Sequence, residues 1–145
     1  MSVRRIALRR MLSCAAAIAL TGVAAHAHHS IASIYDTGKR LTIEGIVVRF
    51  QFVHPHPFLL IDVSDGAGKA QPWRLEMDNL NELAEVGVKS DTLKPGDRVV
   101  VSGSPNRTQA QSIYLRRLDR SADGFWYEQV GQSPSIGHSS PSRQP

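Results

Sequence analysis

The sequence predicts an all-β fold, a small five-stranded barrel with one short helix between its third and fourth strands. Three observations predict it. Apolar and polar residues alternate across residues 41–118, glycine-bearing turns separate the alternating runs, and a single capped helical stretch interrupts them after the third run.

The first run, LTIEGIVVRFQFV, begins at Leu41. Its inward set is Leu41 and Ile43, then Ile46, Val48, Phe50 and Phe52, so the parity changes at Gly45. A glycine at a parity change reads as a β-bulge, which bends and coils a strand. FLLIDV makes the second strand and ends at the turn Ser64-Asp65-Gly66-Ala67-Gly68. In the third, Trp73, Leu75 and Met77 alternate with Arg74 and Glu76. The helix follows: Asn79 can cap it with Glu82 three residues on, Leu80 and Leu83 share a face, and Gly87 suits a left-handed stop. Leu93-Lys94-Pro95-Gly96-Asp97 is a turn, and RVVVSG and QSIYLRRL are the fourth and fifth strands. Three strands, a helix and two strands, with the first strand bulged, is the order of an OB-fold; another small β-barrel or sandwich with a stray helix is the alternative.

Outside this core the chain divides by composition. Residues 1–27 carry the three parts of a cleaved export signal: Arg4, Arg5, Arg9 and Arg10, an apolar run from Met11 to Ala25, and the small-residue site Ala25-His26-Ala27. The run is too short for a stop-transfer helix, so the prediction is export to the periplasm or beyond with no stable membrane anchor after cleavage. Leu12-Ser13-Cys14 only loosely resembles a lipobox, and neither arginine pair is followed by a clean twin-arginine match. A polar lead covers 28–40, the barrel domain 41–128, and a Ser/Pro/Gly-rich tail over 129–145 is expected to be disordered. Phe125, Trp126 and Tyr127 are read as a plug closing one end of the barrel.

Cleavage changes what the charge means. The full chain has a formal net charge of +4, but removing four of its 17 basic residues leaves 13, equal to its 13 acidic ones. The basic character therefore belongs to the discarded segment, and nucleic acid is not an expected partner. The single cysteine, Cys14, leaves as well, which excludes disulfides and thiolate metal ligands from the mature chain.

Three stretches, HHSIASIYD, VHPHPFLLIDV and LKPGDRVVVSGSP, resemble in that order a family of small secreted proteobacterial domains of unknown function that begin His-His-Ser after the signal peptide. The resemblance spans about Ala27 to Leu118 and implies no activity. Family members tend to read Asn-Pro-His where this chain has His54-Pro55-His56, so a histidine stands here in place of the asparagine.

If the mature chain starts at His28, a free amine and an imidazole lie side by side and can chelate one metal ion. A second imidazole from elsewhere completes a T-shaped set of three nitrogens, which resembles the site of histidine-brace copper proteins. Such nitrogen ligands with open tetragonal positions suit Cu(II). Zinc fits less well without thiolate or a clear third histidine. His28, His29, His54 and His56 are the candidate metal ligands and copper the candidate cofactor; His54 and His56 lie in the loop between strands one and two, which borders the usual OB ligand face together with the loop from Ser104 to Ala110. The bland readings are that His28 and His29 mark only a tolerant cleavage site and that His54 is a solvated loop residue. A metal-free binding module for an oligosaccharide, peptide or small anion, using Arg107, is the competing function. Arg107, Arg116, Arg117 and Arg120 otherwise form a solvated basic face.

Motifs for catalysis are missing: there is no G-x-S-x-G, H-E-x-x-H or glycine-rich phosphate loop in the sequence after Ala27. Asp62 and Glu76 are the carboxylates that could face each other across strands, on a wet surface. The reading leans against an enzyme.

Overall fold

The computed structural model describes residues 31–131 and 133–139. The export signal, Cys14, His28 and His29 lie outside the described residues. Within them run α1 (Ile31–Ile34), β1 (Leu41–Gln51), β2 (Phe58–Ser64), β3 (Ala70–Glu76), α2 (Leu80–Glu85), β4 (Arg98–Pro105), β5 (Ser112–Arg120), β6 (Phe125–Val130) and β7 (Ser133–His138).

The first five strands close a barrel in the order β1-β2-β3-β5-β4, returning to β1. Closure is made by a parallel pairing of β3 with β5, Arg74 opposite Ser112 and Leu75 opposite Ile113. β1 serves both halves: Leu41 to Ile46 pair with β4, and Ile46 to Gln51 with β2. This is the OB-fold-like, all-β barrel that the sequence predicts, with α2 placed between β3 and β4. Gly45 sits where β1 passes from one partner to the other. A Cβ there would stand 2.7 Å from the Asp62 carbonyl oxygen and 3.0 Å from Ile61 Cδ1, so only glycine allows so close a crossing.

The bulge itself is three residues later than expected. Val47 pairs with Ile61 and Arg49 with Leu60, leaving Val48 as the extra residue. Val47 is 2 % exposed and Val48 46 % exposed. Ile46-Val47-Val48 is apolar throughout, so periodicity alone could not say which valine turns inward. A second register shift between Ser102 and Gly103 leaves Arg116 as the extra residue on β5.

The core holds Leu59, Ile61, Leu75, Val99, Val101, Ile113, Leu115 and Leu118 from the barrel strands, joined by Leu83, Val88, Leu93, Phe125 and Tyr127. The α2 signals act as expected: the Asn79 side chain accepts from the Glu82 amide at 3.0 Å, and Gly87 takes φ +97°.

Two expectations about the end of the chain are corrected. Phe125, Trp126 and Tyr127 do not form a plug but open β6, which pairs with β5; Phe125 and Tyr127 turn inward, and Trp126 turns out beneath the Arg117 guanidinium at 5.1 Å. The tail does not leave the domain after residue 128. Ser133–His138 form β7, paired with β6 along its length. The stretch SPSIGH carries little alternation, and β6 supplies the template that its composition does not reveal. Nor do Asp62 and Glu76 face one another: their cross-strand partners are Pro72 and Phe58.

Candidate functional site

The loop from Phe52 to Pro57 is stapled to the connection between β3 and α2. The Met77 amide donates to the Pro57 carbonyl at 2.9 Å, and the Leu80 amide to the Pro55 carbonyl at 3.1 Å. These bonds hold His56 half-buried, with Nδ1 3.3 Å from the Met77 carbonyl oxygen. Two lone pairs facing each other would repel, so in the neutral ring Nδ1 is the nitrogen that carries the proton and Nε2 the one with the free lone pair. His54, two residues earlier, is exposed.

The polar lead is not a free arm from residue 31 onward. Tyr35 is 1 % exposed, its hydroxyl donates to Glu76 Oε2 at 2.7 Å, and its ring lies 5.6 Å from that of Tyr114. Burial, and next the bond to Glu76, push the Tyr35 hydroxyl up to about 12. Glu76 directly precedes Met77, so the Tyr35 anchor and the His56 contact share one short piece of backbone.

The lead also covers the loop between β4 and β5. Tyr35 bridges Asn106, the Asp36 amide donates to the Pro105 carbonyl at 2.8 Å, and the Arg107 amide donates to the Ile34 carbonyl at 2.9 Å. The Arg107 guanidinium donates to the Ala32 carbonyl at 3.1 Å and lies 3.7 Å from the Asp36 carboxylate. The chain therefore packs its own lead on this loop, which in OB-folds borders the usual ligand face.

Among the candidate ligands the structure thus brings His56 into a held position and leaves His54 in solvent, while His28 and His29 precede the described residues. Among the described residues no three His, Cys, Asp or Glu side chains gather as a metal site. A metal ion held by His56 would need donors from outside that set.

Two polar clusters escape sequence reasoning. Arg120 donates to both carboxylate oxygens of Asp123 at 3.0 and 2.8 Å, to Asp97 at 2.6 Å and to the Thr92 carbonyl at 2.7 Å. This knot walls a cleft of about 500 Å³ that also includes Lys94 and His138. Hydrogen bonds from Arg120 hold the Asp123 carboxyl below the usual range. The spacing of Arg120 and Asp123 across a turn is the available signal. The second cluster surrounds Asp78, where β3 gives way to α2, and nothing in its spacing marks it.

No curated protein matches the sequence. Among solved structures, the crystal structure of TiaS in complex with a tRNA and ATP aligns with a TM-score of 0.41 and 16 % identity, over 74 % of this chain and 30 % of its own. The crystal structure of a tRNA fluorescent labeling enzyme aligns with a TM-score of 0.39 and 12 % identity, over the same shares. The chain spans under a third of either protein, and likenesses at this level bear on neither ligand nor activity. A model described as a family of unknown function, DUF6152, matches residues 16–114.

Proposed function

Because the chain belongs to the DUF6152 family, whose description assigns no activity, we propose a function from its own residues: it is a periplasmic Cu(II)-binding protein. In this reading residues 1–27 are an export signal cleaved after Ala27. The new N-terminal His28 chelates the ion through its amine and ring nitrogens, and His56 supplies the second imidazole.

The observation that carries the reading is the 3.3 Å approach of His56 Nδ1 to the Met77 carbonyl. Metal-binding histidines typically donate their second ring N–H to a backbone carbonyl or carboxylate, which fixes the tautomer and orients the free nitrogen. His56 is prepared in this way and His54 is not. The anchored lead adds support. Counting from Leu41, His28 would hang on 13 residues of chain; counting from Ile31, it hangs on three, a reach of about 10 Å when extended. Arg107 is already engaged by Ala32 and Asp36, which weakens the competing reading of that loop as an anion site. Bound Cu(II) would bring redox and Lewis-acid chemistry; the chain's own contribution is to bind and orient.

The test is a Cu(II) titration of protein beginning at His28, read by the visible d–d band, beside protein that retains Ala27. The retained residue turns the amine into an amide, removing one nitrogen and breaking the chelate while both imidazoles stay. Binding should be far weaker in the extended form, weaker also in His56→Ala, and little changed in His54→Ala. Affinity should fall as pH drops, because protons compete for amine and imidazole nitrogens. Equal affinity of the two forms refutes the proposal.

A further inference from the structure

The lead from Ile31 to Asp36 is held at more points than its burial explains. α1 buries none of its side chains, yet Arg107, from the loop between β4 and β5, grips this segment three times. Its amide donates to the Ile34 carbonyl at 2.9 Å, its Nε to the Ala32 carbonyl at 3.1 Å, and its Nη2 lies 3.7 Å from the Asp36 carboxylate. Among the described residues of the lead only Tyr35 is buried, with its ring against Tyr114 and its hydroxyl on Glu76.

Burial therefore fixes the lead at Tyr35, and Arg107 fixes the residues before it. Exposed hydrogen bonds and a surface ion pair add little to stability, because water competes for the same groups. What they supply is position: they set where the chain before Ile31 leaves the domain. Position matters to a chelate divided between a chain end and a loop. The second ligand binds intramolecularly, at an effective concentration that falls roughly as the −3/2 power of tether length once the tether can span the gap. His28 lies three residues before Ile31, seven before Tyr35 and 13 before Leu41. Relative to a tether starting at Ile31, effective concentration at His56 is lower by about 3.5-fold for one starting at Tyr35 and about 9-fold for one starting at Leu41. Tyr35 is moreover bolted to Glu76, the neighbour of the Met77 carbonyl that orients His56, so the lead and the remote imidazole are held on one piece of backbone.

Building on the copper reading, we propose that Tyr35 and Arg107 are positioning residues: they shorten the tether of His28, and so raise the affinity that His56 contributes, without touching the ion.

The test is a double-mutant cycle on the protein beginning at His28, with Cu(II) affinity read by competition against a chromophoric chelator. Arg107→Ala, which leaves Tyr35 in place, should weaken binding about three- to fourfold, and Arg107→Ala combined with Tyr35→Ala about ninefold. Arg98→Ala, which removes an exposed ion pair with Glu44 on a different part of the surface, should leave affinity unchanged. In a His56→Ala background the Arg107 and Tyr35 substitutions should have no effect, since the chelate of amine and ring has no use for a short tether. A merely structural role would weaken both backgrounds alike. Should the Tyr35→Ala protein fold poorly, as read by its Tm, Arg107→Ala with and without His56 decides alone. Unchanged affinity in Arg107→Ala, or an equal loss in the His56→Ala background, overturns the positioning role and leaves the copper site standing. Equal affinity of the mature protein and the form that retains Ala27 removes the copper site itself, and the positioning role with it.

Discussion

In the barrel, strands such as β2 and β4 turn apolar side chains inward at alternate positions, and residues such as Leu59, Ile61, Leu75 and Leu115 are fully buried. The β6–β7 hairpin is half of that kind and half of another. β6 contributes Phe125 and Tyr127 to the same core, but of the β7 side chains only Pro134 is buried. β7 is held instead by backbone pairing and by what it lacks. At Gly137 a Cβ would stand 2.6 Å from Trp126 Cζ2, so the indole lies directly on the strand. His138 meets the edge of Phe125 at 5.6 Å, and the Ser139 amide donates to the Gly124 carbonyl at 2.8 Å. Side-chain periodicity specifies the barrel strands, whereas a neighbouring template and a missing side chain specify β7.

The sharpest way to test that contrast is to truncate one residue of each kind. Leu118 is fully buried, pairing with Val101 on one side and Tyr127 on the other. Leu118→Ala should cost about 2–5 kcal/mol in denaturant unfolding, the range for a buried leucine that leaves a cavity. Ile136, half-buried on β7, should cost about 1 kcal/mol when cut to alanine, since less surface returns to water. Equal losses would place β7 within the core proper and dissolve the distinction.

The same contrast explains what the sequence can say. The stretch from Trp73 to Met77 declares itself because burial on one face forces alternation, and Asn79 with Glu82 and Gly87 marks a helix because caps are local chemistry. The bulge lies three residues beyond the position that parity suggests, because three consecutive apolar side chains erase parity. SPSIGH is invisible because Pro134, Gly137 and two serines carry no period. At the candidate site, the proline-flanked His56 is legible as a residue type in a stiff loop. Its tautomer is not, because that depends on the Met77 carbonyl arriving from the β3–α2 connection 21 residues away. The Tyr35 anchor and the Asp78 cluster are illegible for the same reason, each being assembled from segments distant in sequence.

A second, smaller effect follows from removing β7 altogether. A chain ending at Gly131 loses the burial of Pro134, the cover over Trp126 and the pairing with β6, and stability should fall by about 1–3 kcal/mol. The fall should appear as a Tm lower by several degrees, with Trp126 fluorescence shifted to the red as water reaches the indole. The barrel should persist, because its five strands close without β7. An unchanged Tm would mean that β7 adds no stability to the domain.

The smallest effect concerns Tyr35, which lies outside the barrel as β7 does but is held by a buried side chain. Tyr35→Phe keeps the ring against Tyr114 and removes only the hydroxyl bonded to Glu76, which retains Arg74 at 3.5 Å. The cost at neutral pH should be about 1 kcal/mol. The pH dependence is the more specific signature. Burial and the Glu76 bond raise the hydroxyl to about 12, above the value near 10 of an exposed phenol, so the folded protein holds the proton more tightly than the unfolded chain. By linkage, the stabilisation is fully present below about pH 10 and is lost as pH rises from there through about 12. Tyr114 and Tyr127, also pushed up chiefly by burial, share this alkaline loss. Tyr35→Phe should therefore be less stable than wild type at neutral pH, and the gap should close through the alkaline window as wild type loses the contribution that the variant never had. A gap that stays constant up to pH 12 would mean that the hydroxyl is neither buried nor held by Glu76, and that the lead is anchored by its ring and backbone alone.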